Sequence, residues 1–556
     1  MIQFDEDKQK RKLDQLLHRE EEELVQALSS KYNLPYVDLS SVAVNSDALR
    51  YIEEKDARLA KAAAFAIINK KLSIAVRDPS IPKLAEVLES IKGKGYEADL
   101  FMCSTAGLEK AWALYKDLSF ASETKSGSLE ISSDEIESII KEAKDLPAII
   151  SILTNAVSLK KSYRVSRILE TSIAGALATG ASDIHIEPEE TYVRLRYRLD
   201  GVLVEVTRFD METYNLLLSR IKLLSGMKLN LKKQSQDGRF SIHVNNSDIE
   251  MRVSVLPGAY NESIVMRILN PKSISVPLED LGIPPKLLAL LLKEIDKPNG
   301  MLLTTGPTGS GKTTTLYAFL KKSYNPGVKI ITIEDPVEYH LPGITQTQVN
   351  DKGYNFVEGL RAAVRQDPDI IMIGEIRDDE TADIAINSAL TGHLVFSTLH
   401  TNSAAGAFPR LIDLHVNPKV ITSALTISMA QRLLRRLCPF CKKEVALEGE
   451  EKKQIDDAVA AIEDKSQIPE NTTKMWKAVG CTKCNNTGYK GRIGIYEAIK
   501  IDEKIENAVE ANPSEREIIA AAKGQGIMNM EQDGVVKILQ GVTDLDELKR
   551  VVEVEE

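Results

Sequence analysis

The stretch GPTGSGKTTT at 306–315 constrains this chain more than any other. It satisfies G-x-x-x-x-G-K-[ST] in full, follows the apolar run MLLTT and precedes the helical pattern LYAFLKK. Gly306, Gly309 and Gly311 let the backbone curl so that successive N–H groups point inward at an anion. The helix behind them aims its positive end at the same spot. Lys312 adds a mobile cation for the β- and γ-phosphates, and Thr313 offers a hydroxyl to Mg2+. Gly306, Pro307, Thr308, Gly309, Ser310, Gly311, Lys312, Thr313 and Thr314 are therefore expected to wrap the phosphates of ATP.

Such a loop needs a buried sheet to carry it. GMLLTTG, KIITIED, IIMIGE and LVFSTLH are short, continuous and apolar, with helical segments between them, as parallel strands covered on both faces read. Catalytic groups collect at the carboxyl ends of such strands. KIITIEDPVEY (329–339) ends in Glu334, Asp335 and Glu338, and DPDIIMIGEIRD (367–378) ends in Glu375. Glu334 is expected to orient or deprotonate the attacking water. Glu375 follows Gly374, where an Asp that binds Mg2+ through water would be usual, and is expected to help position the metal. TGHLVFSTLHTN (391–402) puts His393 and His400 at the two ends of another apolar strand. Both are expected to sense the γ-phosphate and pass hydrolysis on as movement.

Upstream the texture differs. Residues 1–118 alternate helical patterns with strand-like runs, such as LSIAV (72–76), the turn RDPS and the helical PKLAEVLESI (82–91), which suggests a small α/β domain. The Ser- and Glu-rich segment 119–144 reads as a flexible linker. A helical segment then reaches Gly180, and alternating runs follow: DIHIEP, YVRLRYRLDGVLVEV, GRFSIHV and IEMRVSVLP. Asp200-Gly201 and Asp237-Gly238 are expected hairpin turns. Residues 145–272 thus form an α+β domain with a mostly antiparallel sheet, and 273–556 the nucleotide-binding domain.

Four of the five cysteines form two pairs, Cys438-Pro-Phe-Cys441 and Cys481-Thr-Lys-Cys484. Four thiolates close a tetrahedral Zn2+ site with no open position, so a structural metal is expected. Cys103 stands alone and reads as a small buried hydrophobe. The net charge of −10 and the 5% aromatic content weigh against a nucleic-acid tracker. The start MIQFDEDKQK lacks the apolar region of a signal peptide, and no run reaches the roughly 20 apolar residues that span a bilayer. A cytoplasmic protein with at most peripheral membrane association is expected.

Together, GPTGSGKT, TIEDPVEY, LRAAVRQDPDIIMIGEIRD and TGHLVFSTLHTN resemble, in order, the four nucleotide-site motifs of the secretion ATPase superfamily. More narrowly the chain is similar to the assembly ATPases of type IV pili and to the type II secretion ATPases. The resemblance spans about 145–556 and, more loosely, the first 118 residues. It implies a RecA-like P-loop domain preceded by a PAS-like α+β domain, assembled as a homohexamer. Nucleotide would lie between the two domains, under arginines for which Arg239, Arg252 and Arg267 are the candidates. Arg361 and Arg365 would serve interdomain or intersubunit contacts. Extension and secretion ATPases carry a tetracysteine motif, here within 436–490, and retraction ATPases do not.

The implied work is ATP hydrolysis that drives an inner-membrane platform protein, with a cytoplasmic adaptor, to add pilin subunits. Pseudopilus assembly in type II secretion is the alternative, and a nucleic-acid translocase on the same scaffold is a third reading. YNLPYVDLSS and LSIAVRDPS resemble the N-terminal domain that couples these ATPases to partners. Some relatives bind cyclic di-GMP there through RLG-type motifs. The nearest stretch, RKLDQLL (11–17), lacks the Gly, so partner docking is expected instead.

Overall fold

The computed structural model describes residues 21–552, except 40–41, 43, 50, 69–70, 94, 118–121, 124–127, 131–137, 141, 143–144, 159–160, 245–246, 271–275, 351–352 and 512–513. The RKLDQLL stretch and most of the expected linker lie outside the described residues. Two units separate by packing: 1–136 with 152–171 and 209–220, and 137–151 with 172–208 and 221–556.

In the first unit, β1 (Ala62–Ile68) pairs antiparallel with β2 (Lys71–Val76), and β3 (Glu97–Met102) joins β2 in parallel. A parallel partner requires a crossover, supplied by the helix Pro82–Gly93. That helix buries Leu84, Val87 and Ile91 at helical spacing, in one cluster with Leu72, Ile74 and Val76 of β2.

The second unit contains two large sheets and a two-stranded one. In the first of them β4 (Asp183–Pro188), β5 (Val193–Leu199), β6 (Val202–Phe209), β7 (Gln236–Val244), β8 (Ser247–Pro257) and β9 (Glu262–Leu269) lie in the order β7-β8-β9-β4-β5-β6. Period-two patterning buries Ile184, Ile186, Leu195, Tyr197, Met251, Val253 and Val255. Tyr197 Oη donates to the Ser172 carbonyl at 2.7 Å. Asp200 and Gly201 both have positive φ, 48° and 88°, as a two-residue hairpin turn requires. The Asp237-Gly238 expectation is wrong. The pair lies inside β7, and a Cβ on Gly238 would fall 2.2 Å from the Ser225 carbonyl oxygen. Glycine is there because another backbone passes close by, and the β7–β8 connection falls at 245–246, outside the described residues.

The second sheet is built from β10 (Gly300–Thr305), β11 (Ile330–Glu334), β12 (Thr345–Gln348), β13 (Ile370–Ile373), β14 (Leu394–Leu399) and β15 (Leu425–Leu437). An antiparallel pair, β16 (Lys443–Ala446) and β17 (Lys474–Lys477), stands apart, and β18 (Tyr489–Lys500) completes the sheet. The order is β12-β11-β13-β14-β10-β15-β18, parallel except for β18. Consecutive residues serve opposite faces. Met301, Leu303, Ile371, Ile373 and Val395 enter one core cluster, while Leu302, Ile370, Met372, Leu394 and Phe396 enter the other. This is why the strands read as unbroken apolar runs. The expected α/β architecture is the one formed, and among the described residues no helix is long and apolar enough to cross a membrane.

Candidate active site

The glycine-rich loop 306–311 leaves the carboxyl end of β10, the strand between β14 and β15. Gly311 ends the loop at φ 94° and stands at the N-cap of the helix Lys312–Ser323. It has no side chain to satisfy the first-turn N–H groups, which leaves them for an anion. Lys312 Nζ donates to the carbonyls of Gly306 (2.7 Å) and Pro307 (3.2 Å). Burial lowers the Lys312 pKa, the Glu375 charge opposes this, and the Arg432 charge reinforces it.

Glu375, just past β13, stands with His400, just past β14: His400 Nε2 lies 3.0 Å from Glu375 Oε2. Arg377 pairs with the other Glu375 oxygen and reaches Asp335 Oδ2 at 3.5 Å. An acid, an imidazole and a guanidinium thus meet at the carboxyl ends of neighbouring strands, with Lys312 in the field of the acid.

Glu334 does not join them. It is 3% exposed and accepts hydrogen bonds from Thr332 Oγ1 (2.6 Å), Gln346 Nε2 (3.0 Å) and Tyr317 Oη. Burial raises its pKa against the pull of these donors. The expectation for His393 is also corrected. It precedes β14, its Nδ1 lies 3.0 Å from the Ser388 carbonyl, and its own carbonyl accepts from Gly300 N. That is the amino end of the sheet, and the six residues of β10 set it roughly 20 Å from the loop at the usual strand rise.

Strand register gives the three candidate arginines a common position. Arg252 on β8 lies opposite Arg239 on β7 and opposite Arg267 on β9, and Arg267 lies opposite Asp183 on β4. Like charges placed side by side repel, so such a row suits a polyanion. Arg252 also crosses to the loop after β11, donating to the Val337 carbonyl (2.8 Å) and pairing with Glu338 (2.9 Å). Arg267 pairs with Asp183 at 3.0 Å. Arg361 pairs with Glu380 at 2.5 Å, and Arg365 caps the helix Phe356–Val364.

Sequence reasoning missed two cations. Arg377 sits two residues beyond Glu375 in the same motif, so proximity alone was a usable signal. Arg432 donates to the carbonyl and side-chain oxygens of Asn402 (3.0 and 3.2 Å), in the loop after His400, a pairing that only the fold creates.

The four paired cysteines gather with all their Sγ atoms within 4.8 Å of one another. Three of the separations are 3.9, 3.8 and 3.7 Å. A tetrahedron with Zn–S bonds of about 2.3 Å has edges of about 3.8 Å, so the set fits zinc. The amides of Cys481 and Gly488 point at Cys484 Sγ (3.2 and 3.3 Å). Burial works against ionisation of Cys484, but these N–H groups together with the Cys481 and Cys441 thiols hold it below its ordinary pKa, whereas burial raises Cys438 and Cys441. Cys103 is buried, as expected.

Residues 158–550 match the family described as Type II/IV secretion system protein, and 32–119 match the MshEN domain. The chain is 37% identical over 538 residues to the Type IV pilus assembly ATPase PilB of Thermus thermophilus. That alignment covers 96% of this chain but only 58% of the Thermus protein. The chain is 42% identical over 390 residues to Type II secretion system protein E of Klebsiella pneumoniae, covering 70% of this chain and 76% of that one. Among solved structures, the ATPase DotB of Yersinia pseudotuberculosis has a TM-score of 0.50 at 18% identity, over 70% of this chain and 94% of that one. At that identity the likeness speaks to fold alone.

Proposed function

The chain belongs to the Type II/IV secretion system protein family and is an ATPase, and from this premise we propose that it is a motor for type IV pilus assembly. The observation that carries the choice is extent. Similarity to the pilus assembly ATPase runs through 96% of the chain, N-terminal region included, whereas similarity to secretion protein E covers 70%. Higher identity over that shorter span, 42% against 37%, favours the second reading, pseudopilus assembly for protein secretion.

In this reading the loop 306–314 holds the phosphates of ATP, with Lys312 as the mobile cation. Thr313 would hold Mg2+, which when bound neutralises charge on the β- and γ-phosphates. Glu375, paired with His400, is the acid that orients the attacking water, and His400 passes the change of charge to the loop behind it. Glu334 is a positioning residue that fixes Tyr317 of the P-loop helix. The row Arg239, Arg252 and Arg267 supplies cations for the nucleotide, with Arg252 already tied to the loop that follows Glu334. Cys438, Cys441, Cys481 and Cys484 would hold a structural Zn2+. The motor acts as a cytoplasmic homohexamer, peripheral to the inner membrane through its platform protein and adaptor, with no nucleic-acid partner.

The test is a deletion strain scored for surface pili and for released exoproteins, complemented with wild type or Lys312→Ala. Loss of pili, restored by wild type alone, is expected. Loss of exoprotein release with pili intact selects the secretion reading, and full restoration by Lys312→Ala overturns the motor.

A further inference from the structure

Gln431 lies in the middle of β15, in the run LTISMAQRLL, and is 1% exposed. A buried primary amide is tolerated only where its donors and acceptor find partners. Gln431 Nε2 donates to the Ser310 carbonyl at 2.8 Å, and Gln431 Oε1 accepts from Thr315 Oγ1 at 2.9 Å. One partner belongs to the nucleotide loop and the other to the first turn of the helix behind it. The glycines of the loop close on the same residue. A Cβ on Gly306 would fall 2.7 Å from the Gln431 carbonyl oxygen, and one on Gly311 would fall 3.0 Å from Gln431 Nε2. The parallel register explains the meeting, since Thr305, which ends β10, lies opposite Ala430.

We propose that Gln431 is a positioning residue for the nucleotide loop, whose amide holds the loop and the helix start in one fixed relation. It acts through Ser310 and Thr315. The curl that turns the N–H groups inward is thereby set from behind, by a hydrogen-bond donor and an acceptor on a single side chain. The proposal rests on the reading that residues 306–314 hold the phosphates of ATP.

The chemistry makes the role specific. At Ser310 the carbonyl needs a donor, and at Thr315 the hydroxyl needs an acceptor. A glutamate at 431 offers an acceptor to both while ionised, so its oxygen repels the Ser310 carbonyl. Once protonated it again donates to one and accepts from the other. Burial raises a carboxyl pKa, so this switch falls above the ordinary glutamate range.

The experiment measures the Kd of a fluorescent ATP analogue, and KM and kcat, for the full-length chain between pH 6 and 8.5, each normalised to wild type at the same pH. Gln431→Met is expected to weaken nucleotide binding roughly 10-fold or more, with KM raised more than kcat falls. Gln431→Glu is expected to be equally weak at pH 8.5 and to recover most of its affinity at pH 6, a pH profile that mere loss of packing does not produce. Wild-type affinity in Gln431→Met, or a flat pH profile in Gln431→Glu, overturns the proposal. If both variants fail to fold, Thr315→Val removes the same hydrogen bond from its other end, and an unchanged KM there overturns it equally. Lys312→Ala separates the two readings: undiminished binding in that variant means that the loop is not the phosphate site, whatever Gln431 does.

Discussion

Replacing Glu334 by alanine should cost stability, whereas replacing Glu375 by glutamine should cost turnover. The carboxylate of Glu334 accepts from the hydroxyls of Thr332 and Tyr317 and from the Gln346 amide. Truncation strands these donors inside the protein. An orphaned buried donor costs about 1–3 kcal/mol, although hydroxyls can rotate to other acceptors. Gln346 Nε2 keeps a second acceptor, the Tyr339 carbonyl at 3.1 Å. Removal of a buried acid whose pKa is raised by burial returns part of the loss. A net destabilisation of about 2–3 kcal/mol remains, equivalent to roughly 3–5 °C in the transition of a domain of this size. Glu375→Gln keeps the size of the side chain at a partly open position, 16% exposed, and should move the transition less than Glu334→Ala does. It removes the charge facing His400 and Lys312, and a lost water-activating acid lowers kcat by about 10²–10⁴. Scanning calorimetry and steady-state ATPase assays on the purified variants give both quantities, with the Kd of nucleotide as control. The reasoning is refuted if Glu334→Ala melts with wild type while losing turnover, because that carboxylate would then reach the reacting water. It fails equally if Glu375→Gln keeps its kcat.

Metal analysis of protein purified without chelators should find about one Zn per chain, and Cys484→Ser should lose it and become cleavable by protease within 438–484; metal-free wild type would refute the site. Glu547 tests charge linkage. Burial opposes its ionisation, but Arg550 and Arg435 outweigh this and hold its pKa below 4.5. Its folded value is depressed, so its contribution is complete above the unfolded value and is lost as pH falls through the folded one. The gap in melting temperature between wild type and Glu547→Gln should therefore be widest near neutral pH and close progressively below pH 4.5; a gap that stays constant down to pH 3 would show that linkage is absent.

What could be read from the chain was local. The loop 306–314, its strand and its helix are contiguous, so composition and order suffice to place Lys312. The cysteine pairs are legible for a similar reason, since each pair is a single knuckle. The turn at Asp200-Gly201 declares itself through two residues tolerant of positive φ, but Asp237-Gly238 has the same letters for a different cause, the Ser225 backbone passing close by. His393 differs from His400 in which end of the strand it occupies. It stands at the amino end of its strand, and the rule that ligands gather at carboxyl ends already excluded it.

The remaining features depend on who faces whom across the sheets. Arg239, Arg252 and Arg267 form one row because Met251, Val253 and Val255 bury the other face of β8; a slip of one residue would turn Arg252 inward. Periodicity shows that Arg252 is on the polar face, but only pairing shows that the other two stand beside it. Glu334 is a strand-end acid in sequence, and its inward turn is decided by Tyr317 and Gln346, which come from two other elements. Gln431 left one trace, a polar residue in an apolar strand, and such a residue requires partners without naming them. The glycines of the loop carry the same ambiguity. Their sequence suggests an anion in front, whereas the structure also places Gln431 behind two of them, at Gly306 and Gly311. A loop confined from behind keeps its curl without an anion to organise it. Its N–H groups are then arranged before nucleotide arrives, and that prior ordering is what the Gln431 variants would remove.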